Sequence, residues 1–222
     1  MNYNEFEFLS GERMPVGTFF CIGKNYSEHI KEMGGTGKEE PVIFIKPPAA
    51  YLPNGGTILI PSISINVHHE LELVVLIGKD CANVPKENAK EYIAGYAVGI
   101  DVTMRDVQGI AKAGGNPWSL SKGFYTSAPV SQFISPSQLP AGHEGFEMEL
   151  RVNGELRQSG NTSGMIHSID EIIEYLSAMF TLRRGDAIYT GTPQGVGQIK
   201  SGDVVTAELK GFVSLEVKVA NK

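Results

Sequence analysis

The sequence has few cysteines, no excess of positive charge and no long apolar run. Its 222 residues include 2 cysteines, and 19 Lys and Arg against 25 Asp and Glu give a net charge of −6 at pH 7. The acidic balance argues against a nucleic-acid partner or an anionic membrane surface. No apolar segment approaches the roughly 20 residues of a membrane-spanning helix, so we expect no membrane partner.

Other absences predict a compartment and a domain organisation. The first residues lack a basic stretch followed by an apolar core, so we expect no secretory signal. Cys21 and Cys81 are then expected to be free thiols in a cytoplasmic protein. No internal repeat, linker or low-complexity segment is evident. We therefore predict one domain over residues 1–222, in which residues 1–16 form a polar N-terminal arm.

A run of five apolar residues, Leu73–Ile77, ends at Gly78 and predicts a strand buried on both faces. His68, Glu70 and Glu72 precede or enter this strand and would share one face, because side chains alternate along a strand. Two such carboxylates repel each other and are costly to desolvate, whereas a divalent cation offsets both costs. All-oxygen ligands favour Mg²⁺, Mn²⁺ or Ca²⁺ over Zn²⁺. The alternative is a pair of solvated glutamates at an exposed strand end.

A third carboxylate closes the next predicted strand. Small residues from Gly95 to Gly99 share a face with Asp101, so another group is expected to approach this face closely. Asp101 is a candidate third metal ligand. The alternative is a turn residue, because a helix capped by Thr103 and running to Ala113 is predicted just after it.

A short helix is predicted after Asn25, ending at Gly34 and Gly35. His29 and Glu32 would lie one turn apart on it, and a histidine beside a carboxylate is the arrangement that a general base needs. The alternative is a surface ion pair that contributes about 0.2–0.5 kcal/mol. The flanking glycines favour a mobile segment such as a lid.

Local signals in the C-terminal half predict two hairpins and a helix. The Asn-Gly pair at 153–154 separates alternating strands, which is typical of a type I′ turn. A second alternating hairpin is predicted around residues 210–211. Ser168 and Glu171 form a capping-box pattern ahead of a helix with an apolar stripe. The apolar stripe of this helix is expected to be core rather than a cofactor site.

The glycine-rich loop Gly191–Gly197 would let its backbone approach a ligand closely. It lacks the Gly-Lys-Ser/Thr of a phosphate loop, and no helix follows to receive a pyrophosphate. Free amides together with Thr192 could bind a carboxylate, and the alternative is a plain turn. Lys122 lies in a predicted loop, where a lysine is usually solvated.

Taken together, these motifs resemble the fumarylacetoacetate hydrolase family, in the family's order from about residue 17 onward. The matching stretches are Gly23-Lys24-Asn25-Tyr26 with His29 and Glu32, Phe44-Ile45-Lys46-Pro47, His69-Glu70-Leu71-Glu72, Gly99 to Gln108, Ser121-Lys122, and Gly191 to Gly197. The length and the His-x-x-Glu spacing are most similar to the small acylpyruvases and oxaloacetate decarboxylases. The resemblance implies a mainly β fold of the α+β class, a mixed β-roll or sandwich of bent sheets with a few short helices.

The resemblance also implies roles for individual residues and a homodimer. The family's metal ligands, usually of Mg²⁺ or Mn²⁺, match Glu70, Glu72 and Asp101. Its catalytic dyad, on a lid that orders when ligand binds, matches His29 and Glu32. Its active-site lysine matches Lys122. Its substrate-lining positions match Arg105, Gln108 and Thr192.

These matches predict a metal-dependent enzyme that cleaves a C–C bond in small β-diketo or α-keto acids, by acylpyruvate hydrolysis or oxaloacetate decarboxylation. The metal and Lys122 would stabilise an enolate, and His29 would activate water for hydrolysis. One alternative is an isomerase that uses the same enolate, such as an oxaloacetate keto–enol tautomerase or a 5-carboxymethyl-2-hydroxymuconate-type isomerase. Another is a non-catalytic protein that binds a keto acid or a metal. The expected partner in the catalytic versions is a small keto acid.

Overall fold

The computed structural model describes residues 4–26 and 40–222, and strands dominate it, as predicted. The strands are, in chain order, β1 Glu5–Glu7, β2 Arg13–Pro15, β3 Phe19–Gly23, β4 Val42–Lys46, β5 Tyr51–Pro53, β6 Thr57–Ile60, β7 Val67–His69, β8 Leu71–Ile77, β9 Ile93–Ile100, β10 Thr103–Met104, β11 Ala128–Val130, β12 Glu147–Val152, β13 Glu155–Asn161, β14 Ala187–Tyr189, β15 Gly197–Gln198, β16 Val204–Leu209 and β17 Val213–Asn221. The α-helices are α1 Arg105–Ala113, α2 Ser119–Lys122 and α3 Ile169–Met179, and 3-10 helices span Pro48–Ala50, Lys86–Tyr92, Pro136–Gln138 and Thr162–Gly164. His29, Glu32 and the short helix predicted around them lie outside the described residues.

Seven strands form the largest sheet, in the order β4-β3-β14-β8-β9-β11-β5. The predicted strand Leu73–Ile77 belongs to β8 in its middle, and every residue of β8 is buried. Leu73 and Val75 pack into one apolar cluster, whereas Val74 and Leu76 pack into a second cluster on the opposite face. The prediction of burial on both faces is therefore confirmed.

The neighbouring strand β9 is approached closely, as its small residues predict. A Cβ atom added to Gly99 would lie 2.6 Å from Cγ2 of Val74 and 2.9 Å from the hydroxyl of Tyr189. That hydroxyl donates a hydrogen bond to the carbonyl of Pro129 at 2.9 Å. Gly99 thus leaves space for the buried ring of Tyr189 to pack against β9, the strand that precedes Asp101.

The second sheet has five strands in the order β13-β12-β16-β17-β6 and contains both predicted hairpins. Asn153 and Gly154 have φ angles of 51° and 82°, as a type I′ turn requires. Along β17 buried and exposed residues alternate, so one face packs into the core and the other meets water. The capping box of Ser168 and Glu171 starts α3, also as predicted.

Two local predictions are wrong. The N-terminal segment predicted as an unpatterned arm contains the β1–β2 hairpin, in which Phe6 and Met14 are paired and buried. Its strands are only three residues long, too short for their alternation to stand out. Thr103 does not cap α1; its hydroxyl donates to the carbonyl of Asp101 at 3.1 Å.

In the described part of the chain, no helix combines the length and apolar content that crossing a membrane requires.

Candidate active site

Three carboxylates meet where β8 and β9 run side by side. Glu70 lies in the break between β7 and β8, Glu72 pairs with Gly99 across the sheet, and Asp101 directly follows β9. The backbone N–H of Asp101 donates to the carbonyl of Glu70 at 2.8 Å, which joins the two strand ends. All three side chains are buried, and one oxygen from each lies within 4.8 Å of the others.

His68 is not part of this carboxylate group. It is half-buried, and its Nε2 contacts Oδ1 of Asn66 at 2.9 Å. The alternation that predicts a shared face for His68 and the glutamates does not continue, because the strand breaks at Glu70.

Lys122 lies against two of the carboxylates. Its Nζ donates to Oε2 of Glu70 at 2.7 Å and to Oδ2 of Asp101 at 2.6 Å, and it is buried at the end of α2 rather than solvated in a loop. Burial alone lowers the pKa of Lys122, but the charges of Asp101 and Glu70 outweigh it and raise that pKa to about 12. The side chain is therefore a permanent cation and hydrogen-bond donor at neutral pH.

Arg105 connects the carboxylates to a predicted substrate-binding residue. Its Nη2 donates to Oε1 of Glu70, and its Nη1 donates to Oε1 of Gln108 at 2.7 Å. Burial raises the pKa of Glu70, but the charges of Lys122 and Arg105 outweigh burial and hold the pKa well below its usual range. Glu70 is thus an ionised carboxylate with a cation at each oxygen.

Glu72 has a different environment. It makes no ion pair with any described residue, and its Oε2 accepts a hydrogen bond from the backbone N–H of Gly191 at 2.7 Å. Burial, together with the charges of Asp101 and Glu70, raises the pKa of Glu72 well above its usual range. This third buried carboxylate lacks the charge compensation that a divalent cation would supply.

Lys46 belongs to the site, although the sequence assigned it no role beyond its motif. It is fully buried, and its Nζ lies 2.7 Å from Oδ1 of Asp101. The same Nζ donates to the carbonyls of Lys122 at 2.5 Å and of Ser127 at 2.8 Å. A lysine at the end of an apolar strand is the signal that could have revealed it, because a buried ammonium requires partners of this kind.

The loop after β14 approaches the carboxylates from the other side. The backbone N–H of Gly191 donates to Glu72, and the buried Thr192 lines a cavity beside the carboxylates. The Nδ2 of Asn25 donates to the carbonyl of Thr190 at 2.8 Å, and its Oδ1 accepts from the N–H of His167 at 2.8 Å. Its side chain therefore anchors this loop.

All the predicted site residues that the structure describes line one cavity of about 40 Å³. They are Glu70, Glu72, Asp101, Arg105, Gln108, Lys122 and Thr192. Phe44 and Trp118 form an aromatic wall, and Nζ of Lys122 lies 4.8 Å from the centroid of the Phe44 ring. The arrangement combines a candidate cation site with hydrogen-bond donors, which together can stabilise negative charge that develops on a bound molecule.

The chain belongs to the fumarylacetoacetate hydrolase family. The family model described as fumarylacetoacetate (FAA) hydrolase C-terminal matches residues 18–220. The resemblance predicted from the motifs is therefore confirmed.

Three relatives are informative about the branch of the family. Oxaloacetate tautomerase FAHD1, mitochondrial, from Homo sapiens is 49% identical over 199 residues, which cover 90% of each chain. Oxaloacetate tautomerase YcgM from Escherichia coli (strain K12) is 46% identical over 205 residues, covering 92% of this chain and 93% of the relative. The crystal structure of fumarylpyruvate hydrolase from Pseudomonas aeruginosa in complex with Mn²⁺ and pyruvate superposes with a TM-score of 0.92 at 37% identity, covering 98% of this chain and 96% of the other.

The comparisons confirm the predicted fold as well as the family. Two of these relatives carry the name of the tautomerase that the sequence left as an alternative to C–C cleavage. The homodimer, the single domain and the cytoplasmic location stay predictions.

Proposed function

We propose that the protein is a divalent-metal-dependent oxaloacetate keto–enol tautomerase. The observation that carries the proposal is 49% and 46% identity, over about nine-tenths of the chain, to two enzymes of that name. The cavity supports it with three buried carboxylates beside cationic donors. Tautomerisation is therefore favoured over the C–C cleavage reactions that the sequence motifs predicted first.

Glu70, Glu72 and Asp101 are the residues that would hold Mg²⁺ or Mn²⁺. Their carboxylate oxygens are the ligands that these hard cations prefer, and the uncompensated Glu72 is accounted for by a cation at this position. The Mn²⁺ in the fumarylpyruvate hydrolase crystal supports the same choice of ion. A bound ion would supply a Lewis acid that polarises the keto group of the substrate.

Lys122 acts in this proposal as a donor to the substrate oxygen that gains negative charge. When oxaloacetate loses a proton from C3, charge develops on the C2 oxygen, and a preorganised ammonium in a buried site stabilises it. Because Nζ of Lys122 already donates to carboxylates of the site as an ammonium, we assign it as a hydrogen-bond donor and not as the base that removes the C3 proton.

A cationic side of the cavity suits a substrate with two carboxylates. Arg105 has a partly exposed side chain there, and Lys112 lines the same cavity with its Nζ 5.0 Å from the centroid of the Trp118 ring. Arg105 and Lys112 are placed to attract a carboxylate of oxaloacetate.

The proton transfer at C3 requires a group that titrates near neutral pH. We assign it to His29, oriented by Glu32, an assignment that rests on the His-x-x-Glu spacing in the sequence. In the keto-to-enol direction this histidine takes a proton from C3, and the imidazolium or solvent returns a proton to the C2 oxygen; in the enol-to-keto direction the two transfers are reversed. The substrate gains no water and loses no carbon.

Acylpyruvate hydrolysis is the second candidate, favoured by the likeness to fumarylpyruvate hydrolase. Metal-loaded protein given oxaloacetate or acetylpyruvate, with enol absorbance and pyruvate followed in one cuvette, separates the candidates. We expect the oxaloacetate enol to decay faster than in a metal-only blank, without extra pyruvate. Pyruvate above that blank from either substrate, with oxaloacetate enol decaying at the blank rate, would contradict the proposal.

A further inference from the structure

We propose that Gln158 is a positioning residue that fixes the direction of the Thr192 hydroxyl, so that this hydroxyl donates its hydrogen to a carboxylate oxygen of the substrate. The inference rests on the proposed function, because it assigns a substrate contact within the same site. It concerns a residue that the sequence motifs do not include.

The Gln158 side chain is a buried amide whose hydrogen-bonding capacity is fully used. It is 1% exposed. Its Oε1 accepts from the backbone N–H of Leu71 at 2.9 Å and lies 2.8 Å from Nδ1 of His69. Its Nε2 donates to Oγ1 of Thr192 at 2.8 Å and to the carbonyl of Pro193 at 3.0 Å. The amide therefore joins both neighbours of Glu70 to the loop that carries Thr192.

Two backbone groups determine which way this amide faces. The N–H of Leu71 can only donate, and the carbonyl of Pro193 can only accept. A reversed Gln158 amide would place hydrogen against hydrogen and oxygen against oxygen at these two positions. The orientation is thus set by the backbone, and Nε2 faces Thr192.

The consequence is a hydroxyl with a defined polarity. Because Oγ1 of Thr192 accepts from Gln158, its own hydrogen is directed to another acceptor. The carbonyl of Pro193 lies 3.4 Å from this oxygen, longer than the usual 2.5–3.0 Å of an O–H···O bond, and competes poorly. The hydrogen is left for an acceptor in the cavity that Thr192 lines.

The backbone around Gln158 fixes the position of its side chain relative to Thr192. The register shifts between Leu150 and Arg151, which pair with Gln158 and Leu156, so Arg157 is the extra residue of a β-bulge. A Cβ atom added to Gly195 would lie 2.4 Å from the carbonyl oxygen of Arg157, so the loop backbone packs directly on the bulge. Bulge and loop therefore hold Gln158 and Thr192 in a fixed relation.

The variant Gln158→Glu tests this polarity selectively. A carboxylate still accepts from Leu71 and His69, but it cannot donate to Thr192, whose hydrogen would turn toward the new Glu side chain. Pyruvate binding to Mn²⁺-loaded protein is measured by titration calorimetry for the wild type, Gln158→Glu, Thr192→Val and the double variant. We expect about tenfold weaker pyruvate binding in each single variant and no further loss in the double variant.

Two controls show whether the weaker pyruvate binding comes from the Thr192 hydroxyl or from damage to the metal site or the added charge. The affinity for Mn²⁺ alone should stay within about twofold of wild type in Gln158→Glu, because the contacts beside Glu70 remain. Gln138→Glu adds the same charge at an exposed position and should bind pyruvate like the wild type. Additive losses in the double variant, or unchanged pyruvate binding in Gln158→Glu, would overturn this inference and leave the proposed function standing. Wild-type protein that neither binds pyruvate nor speeds the decay of the oxaloacetate enol would contradict the proposed function and this inference with it.

The wild-type protein offers a test that needs no variant to fold. If Oε1 of Gln158 accepts from His69, the histidine must carry a hydrogen on Nδ1. Nitrogen-15 NMR of the His69 ring should show a protonated Nδ1. A ring protonated on Nε2 only would mean that the amide is reversed, and would overturn the inference even if Gln158→Glu does not fold.

Discussion

The seven-stranded and five-stranded sheets are both built from buried apolar strands, but they differ in where charge is placed. In the five-stranded sheet, β16 and β17 alternate buried apolar residues with polar residues on the other face. In the seven-stranded sheet, Lys46 of β4 and Glu72 of β8 are buried charges, and Asp101 follows β9. A sheet covered on both faces has no water-facing side, so its charges must pair with one another or with an ion.

The difference predicts that the two sheets respond differently to substitution. Changes at the charges of the seven-stranded sheet should alter metal binding, whereas changes in the apolar core positions of β16 and β17 should alter stability and leave metal binding unchanged.

The largest effect is expected from Glu72→Gln. It removes one of three prospective metal ligands, so the affinity for Mn²⁺ should fall by more than about 100-fold, beyond the usual effect of a residue that only supports a ligand. Titration calorimetry with Mn²⁺ measures this directly, and the proposed tautomerase activity should disappear with it. The matched control is Glu208→Gln, the same change at an exposed position of β16, which should leave the affinity unchanged. Equal affinities in the two variants would contradict the assignment of Glu72.

Lys46→Met should have the next largest effect. It leaves Oδ1 of Asp101 without its cation in a buried site, so stability should fall by about 3–5 kcal/mol. Because Asp101 is also held less firmly, the affinity for Mn²⁺ should weaken by about 10–100-fold. Urea unfolding and calorimetry measure the two effects. Lys79→Met is the control, since that lysine pairs with Glu91 on the surface and its loss should cost less than about 1 kcal/mol.

The pH dependence of metal-free stability should reflect the raised pKa of Glu72. Below the ordinary glutamate pKa, Glu72 is protonated in both the folded and the unfolded chain, and the contribution of its neutral form to the free energy of unfolding is fully present. As pH rises above that value, the unfolded chain releases its proton first, so stability is lost up to the raised pKa of the folded protein. In EDTA, urea unfolding from pH 5 to 8 should show a larger loss for wild type than for Glu72→Gln. Parallel curves would contradict the raised pKa.

The smallest effect on the site is expected from Leu215→Ala in β17. Leu215 is buried between the sheets, so its truncation should lower stability by about 2–5 kcal/mol. The affinity of the folded protein for Mn²⁺ should stay within about twofold of wild type. Denaturant unfolding and calorimetry on the same sample measure both. A loss of metal affinity comparable to that of Lys46→Met would show that the two sheets are not separable in this way.

Local pattern was sufficient to predict much of the fold and several site residues. The apolar run predicted β8, the Asn-Gly turn predicted the β12–β13 hairpin, and the capping box predicted α3. Glu70, Glu72 and Asp101 were selected because carboxylates at the ends of apolar strands are costly without compensation. Each of these signals lies within a few consecutive residues.

The residues that support the site were missed because their contacts join distant parts of the chain. Gln158 accepts from Leu71 across 87 residues, and Asn25 donates to Thr190 across 165. Lys46 reaches Asp101 only when β4 and β9 lie in one sheet. A polar residue at such a position has no periodic signal, because its role depends on which strands become neighbours.

The most direct test of the metal centre is anomalous diffraction from crystals soaked in Mn²⁺. We expect one strong peak about 2 Å from one oxygen each of Glu70, Glu72 and Asp101, with Lys122 beside it. A peak at any other group of residues, or none while Nζ of Lys122 stays between Glu70 and Asp101, would contradict the assignment of this cluster as the metal site.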